Sequence, residues 1–252
     1  MDARRLPARH GVLWLLAGFA LFRRHPPLAT AITFGYLLTV IVVNLIPKIG
    51  PFLLPLLLPT LTVILANGCR AIDRRQPFGS ETLMRGINEH RAGLARLGGL
   101  HLVGSSLLVL GGFALGDPVT ISDGLDPEEA MALVSDMAVI LLLASPMLMA
   151  FWFAPLLTAW DGVGAVKSLF FSFVASLRNW RAFMMYGLAL VLVGAIVPGM
   201  ILIIAGLISP VLLNIFSVAL RMLLIFVLAP TMVASVYLSY RDVFRGPAEP
   251  DE

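Results

Sequence analysis

Apolar residues run through this chain in long blocks, separated by short stretches where arginine, aspartate and proline collect. A helix that crosses a bilayer needs ~20 predominantly apolar residues. Six blocks qualify: residues 27–46, 51–68 (only just), 98–116, 137–160, 182–207, and a sixth within 210–240. In hydrocarbon every backbone N–H and C=O must be satisfied inside the protein, which favours helices. The two-residue alternation of a membrane β-barrel is absent. The pattern predicts an all-α fold, a polytopic helical membrane bundle of about six transmembrane helices with short interfacial helices. Residues 1–245 read as a single integral membrane domain and residues 246–252 as a short cytoplasmic tail.

A seventh apolar block, residues 11–22, is too short to span, since twelve helical residues reach only ~18 Å. Arg4, Arg5 and Arg9 precede it, and Arg23, Arg24 and His25 follow. It reads as an interfacial or re-entrant helix. Ala29-Thr30-Ala31 imitates a signal-peptidase site, but a longer apolar run overlaps it, so a membrane helix is the preferred reading over a secretory leader.

The blocks repeat a plan of short amphipathic stretch, span, turn, span. Pro59-Thr60 leads to Arg70 and Asp73, Pro230-Thr231 to Arg241 and Asp242, and Pro146 to Trp160 and Asp161. The pre-span stretches, at residues 18–28, 86–97 and 172–183, also match loosely. Three helical hairpins are expected, each preceded by an interfacial helix.

Composition agrees. Of the 252 residues, 59% are hydrophobic and 13% charged, against about a quarter charged in soluble domains. Mean hydropathy is +0.92 and the pI about 9.4. Basicity here follows topology and does not mark a nucleic-acid partner. With six spans, all of the 18 lysines and arginines except Lys48 and Arg221 fall on one side. The positive-inside rule makes that side the cytoplasm and places both termini there. The single cysteine, Cys69, excludes an intrachain disulfide and reads as a small apolar filler.

Leu6-Pro7-Ala8-Arg9, with Gly11, Trp14, Gly18, Phe22 and Pro26, resembles the start of a family of uncharacterised betaproteobacterial six-helix inner-membrane proteins. Phe151-Trp152-Phe153-Ala154-Pro155-Leu156, followed by Trp160, Ala165, Phe170, Ser172 and Trp180, resembles its most distinctive stretch. The resemblance covers most of the chain and implies a multi-pass place in the bacterial inner membrane, without an established activity. A looser similarity links the hairpin plan to the membrane part of some glycerophosphodiester phosphodiesterases. That part is not the catalytic one, so no activity is implied.

Few residues suggest chemistry. Arg221 would be costly at mid-membrane, at least ~2.5–3.5 kcal/mol. A sixth span over 222–240 instead places it at the outer edge, with 211–220 as an interfacial turn. Asp136 falls at the outer edge of the fourth span, and an Asp136–Arg221 ion pair joining two hairpins is expected. Arg23, Arg24, Arg178 and Arg181 are the candidate lipid-headgroup contacts. Asp126-Pro127-Glu128-Glu129, next to Asp123, reads as a capped helix start in preference to a cation site. His101 reads as an interfacial histidine. Prolines 55, 59, 146, 155, 198 and 230 shape helix packing. Gly98, Gly99, Gly104, Gly111 and the Gly112–Gly116 pair suggest that the third span lies near the bundle centre.

No Walker loop, G-x-S-x-G elbow or HExxH spacing occurs. The expectation is a non-enzymatic membrane protein with no cofactor or metal. Its partners would be membrane lipids, and possible further ones are other membrane proteins or a second copy, met through the basic cytoplasmic face. A small-molecule transporter or channel is the alternative, and a polar-lined cavity between the spans would favour it.

Overall fold

The computed structural model describes residues 3–115 and 127–246, and no strand occurs among them. Helix α1 covers His10–Arg24, α2 Pro26–Asn44 and α3 Gly50–Asp73. Helix α4 is the short Ser80–Met84, followed by α5 (Arg91–Leu115) and α6 (Pro127–Asp161). Helix α7 covers Ala165–Arg178. Helices α8 (Trp180–Val191) and α9 (Val197–Ile208) form one path, and α10 (Pro210–Leu223) and α11 (Ala229–Phe244) another.

Six paths are long and apolar enough to cross a membrane: Pro26–Asn44, Gly50–Asp73, Arg91–Gly112, Ala138–Asp161, Trp180–Ile208 and Pro210–Phe244. They match the six apolar blocks, although the last is longer than expected. Its 35 residues form one continuous path, ~52 Å long at helical rise.

Two five-residue π-helical turns interrupt these last paths, at Leu192–Ile196 and Leu224–Leu228. Each comes just before a proline, Pro198 or Pro230. A proline ring clashes with the carbonyl four residues earlier and offers that carbonyl no N–H. Those carbonyls belong to Gly194 and Phe226, inside the widened turns. A π-turn gives the ring room without ending the helix.

In helix α6 the backbone ladder is opened just ahead of Pro155 by a side chain from α7. The Ser172 hydroxyl accepts from Phe153 N–H at 2.9 Å and donates to the Met149 carbonyl at 2.8 Å. An unbroken helix would pair these two groups with each other. Ser176 also donates to Met149, at 3.2 Å, and Ser168 meets Thr158 at 2.7 Å. The buried face of α7 is thus small and hydroxylated (Ser168, Ser172, Ala175, Ser176). Its outer face carries exposed Val166, Phe170 and Leu177, the two-sided pattern of a helix lying at a membrane surface.

The core sits at the arginine-rich end. Trp14, Val63, Leu94, Leu97, Phe153, Leu156, Leu157 and Tyr240 are fully buried there. Toward the other end, long apolar side chains such as Leu142, Ile203 and Leu207 are exposed, as lipid-facing residues would be. Helix α3 is the central span, packing against α2, α5, α6 and α11. The third span, α5, flanks it. Gly98 packs on the Leu56 backbone and Gly104 on Met147, while Gly99, Gly111 and Gly112 face open space. Gly116 lies outside the described residues.

The three hairpins form as expected: α2 packs on α3, α5 on α6, and α9 on α10. The short helix before each hairpin packs on the hairpin preceding it. Helix α4 lies on α3, and α7 on α6. The first short helix, α1, closes the cycle by packing on α8 and α11 of the last hairpin. Residues 11–22 are therefore wedged among spans, more deeply than an interfacial helix would be. Trp14 is 1% exposed, and a methyl group on Gly11 would overlap the Ala182 carbonyl.

Candidate functional site

Each hairpin's second helix ends in an aspartate, and these three residues tie the cycle together. Asp73 accepts from Arg24 at 3.1 Å, from Arg241 at 2.9 Å and from the Tyr237 hydroxyl at 2.9 Å. Asp161 accepts from the Tyr240 hydroxyl and, at 2.6 Å, from Arg245. Asp242 accepts from the Trp14 indole at 3.1 Å. Buried Asn67 donates to the carbonyls of Leu83 and Arg85 and accepts from the Trp160 indole at 2.9 Å. Arg70 lies 5.2 Å over the Trp160 ring. Most of these groups are paired with one another and join elements, while Arg241 Nε has only a 3.5 Å contact with Asp242.

A second polar constellation does not satisfy itself. Asn179, 1% exposed, sits at the break between α7 and α8. Its side-chain carbonyl accepts from Leu6 N–H at 2.8 Å, and its amide donates to the carbonyls of Arg4 at 3.0 Å and Ala175 at 2.9 Å. A further backbone bond runs from Arg4 N–H to Val243. The N-terminal segment is thereby laid beside the α7–α8 junction, with Arg5 held between two anchored neighbours. Arg5, Arg178, Trp180 and Arg181 line a groove of about 430 Å³ together with Leu6 and Pro7. All three arginines are exposed. Arg181 lies 5.5 Å from the Trp180 ring centroid. The ion pairs among the described residues use Arg24, Arg241 and Arg245 and none of these three. The groove therefore concentrates uncompensated positive charge beside an exposed tryptophan. A shallower basic groove lies between Arg96 and Leu100 on α5 and Val166 and Lys167 on α7.

Of the four candidate headgroup arginines, the structure brings Arg178 and Arg181 together. Arg24 is committed to Asp73, and Arg23 lies 5.9 Å from the Phe19 ring. Asp136 and Arg221 are both exposed and do not form the expected ion pair among the described residues. Their helices, α6 and α10, are not packing partners, so nothing holds the two side chains within reach. Helix α6 starts at Pro127, where the sequence placed it. Asp123 and Asp126 lie outside the described residues. His101 is half-buried, edge-on to Phe151 at 4.6 Å. Cys69 is buried among apolar neighbours.

Arg5 and Asn179 were not singled out from sequence. Asn179 stood in a pre-span stretch between the headgroup candidates Arg178 and Arg181. A polar amide embedded in a basic-aromatic run was the signal available for Asn179. Nothing local marks Arg5, because its place depends on contacts with residues far along the chain.

Six apolar helices with their polar chemistry gathered at one end define a polytopic helical membrane protein. The chain is 33% identical over 264 positions to a probable inner membrane protein of Burkholderia thailandensis, covering 99% of this chain and 96% of that one. It belongs to the family of that inner-membrane protein, in line with the resemblance seen in its motifs. No family model and no solved structure matches it.

Proposed function

We propose that this is a non-enzymatic, multi-pass inner-membrane protein that binds anionic membrane lipids through its basic cytoplasmic face. The observation that carries this reading is the cluster of exposed arginines without carboxylate partners at the core end of the bundle. Anionic headgroups attract such clusters by ~1 kcal/mol per basic residue. The proposed topology has six spans with both termini in the cytoplasm. Arg221 stands 20 residues from Arg241 in one helical path, ~30 Å at helical rise. If Arg241 lies at the cytoplasmic boundary, Arg221 reaches the opposite one, and its charge avoids mid-membrane. The transporter alternative receives less support, because the arginine-rich end is filled by Trp14, Phe153, Tyr240 and their leucine neighbours.

Native mass spectrometry of the detergent-purified protein tests the lipid reading. Retention of phosphatidylglycerol over phosphatidylcholine of the same chain length is expected, and equal retention would refute it. Reporter fusions at the two termini test the topology: both should report cytoplasm, and reports from opposite compartments would overturn it.

A further inference from the structure

We infer that the Arg5–Arg178–Arg181 groove is a site for one phospholipid of the cytoplasmic leaflet, its phosphodiester held by the arginines and an acyl chain lying along α8. The inference rests on the lipid-binding reading above and locates it. Three arginines line one groove, each exposed, and none belongs to the ion pairs among the described residues. Guanidinium forks suit the paired oxygens of a phosphate. Asn179 positions the site from beneath by fixing the backbone on both sides of Arg5.

A free phosphate would need only the charges. Two further features select a lipid. Trp180, on the rim, is 48% exposed, and an amphipathic ring so placed suits the headgroup level of a bilayer. Below it, one face of α8 continues as an exposed apolar row of Met184, Leu188 and Val191. The spacing of four and three residues keeps them on one helical stripe. The opposite face buries Ala182 and Tyr186, so the row is left to the surrounding chains. Charge at the top of a stripe and hydrocarbon along it reproduce the layout of an anionic phospholipid.

The test measures phosphatidylglycerol binding to the full-length protein in detergent by native mass spectrometry. The probes are phosphatidylglycerol, phosphatidylcholine of the same chains, and inorganic phosphate as competitor. Replacing Arg5, Arg178 and Arg181 together by alanine should weaken phosphatidylglycerol binding on the order of 100-fold, at about fivefold per arginine. Lys48→Ala, an exposed lysine in the turn between α2 and α3 at the other end of the bundle, should leave binding unchanged. Should the triple variant fail to fold, Arg5→Ala alone should cost about fivefold, and the pair Met184→Gln and Leu188→Gln should weaken lipid retention as well. If wild type prefers phosphatidylglycerol and the groove variants match it, the groove assignment falls while the basic-face reading stands. If wild type shows no preference, both fall. Displacement of phosphatidylglycerol by inorganic phosphate, with no effect of the α8 changes, would make this a free-anion site and overturn the lipid assignment.

Discussion

Gly11 shows what a single position must supply. Its backbone lies against the Ala182 carbonyl and the Tyr186 amide, so even one added methyl group meets main chain that cannot swing aside. Overpacking of this kind costs about 1–3 kcal/mol. Gly11→Ala should lower the thermal midpoint in detergent, whereas Gly35→Ala, where nothing lies within 4 Å, should not. Asp136 and Arg221 behave in the opposite way. With both side chains exposed and unpaired to each other, exchanging their charges should give no rescue. The double variant's change in unfolding free energy should equal the sum of the single changes within about 0.5 kcal/mol, as for independent sites. An expected pair such as this one is easy to draw from sequence, because two charges at one depth attract the eye. Depth does not bring helices side by side. The aspartates ending the repeats were legible as a recurring pattern, but their partners Tyr237, Tyr240 and Trp14 were not, since those bonds join residues as many as 228 positions apart.

Among the elements, the junction of α6 and α7 makes the sharpest prediction. Removing the Ser172 hydroxyl lets Phe153 N–H return toward the Met149 carbonyl, which also keeps its bond from Ser176. Ser172→Ala should therefore cost only about 1 kcal/mol, the worth of an ordinary hydrogen bond. Ser172→Val removes the same acceptor and in addition adds bulk at a fully buried position, so about 1–3 kcal/mol more is expected. Thermal unfolding under one detergent condition compares both variants with wild type, and a Ser172→Ala midpoint equal to that of wild type would show that the hydroxyl is not bridging the ladder. The six span-length apolar helices and three hairpins were readable because transfer into hydrocarbon depends on composition summed over ~20 residues. The π-turns were not, because proline announces a broken ladder without saying how the break is accommodated. Pro198 and Pro230 sit beside turns that widen their own helix, whereas the ladder ahead of Pro155 is opened by a neighbour's serine. The centre of the bundle was also misassigned: small residues favoured α5, but α3 takes the place, using Val63, Ala66 and Asn67.

For the whole molecule, Asp73 is the residue where separate parts meet, linking Arg24 at the end of α1 with Tyr237 and Arg241 on α11. Arg24 is 58% exposed and Asp73 14%. Arg24→Ala should cost at most about 1 kcal/mol, as exposed ion pairs do. Asp73→Ala leaves a tyrosine hydroxyl and a guanidinium without their acceptor, and about 1–3 kcal/mol is expected for each. Protease sensitivity of the connection before α4 should rise for Asp73→Ala and not for Arg24→Ala. The groove was half legible at this scale. Arg178 and Arg181 stand in the sequence as neighbours, while Arg5 joins them only when the first segment comes to rest on Asn179.

That return of the first segment has a consequence for biosynthesis. Trp14 and its helix are translated more than two hundred residues before Asp242, the acceptor of the indole proton. Until the final hairpin has been inserted, α1 has no cleft to enter and must wait on the membrane surface with its tryptophan uncovered. A ribosome stalled anywhere before α11 would leave every nascent chain displaying the same unsheathed helix. One early-made element thus reports whether the last one has arrived.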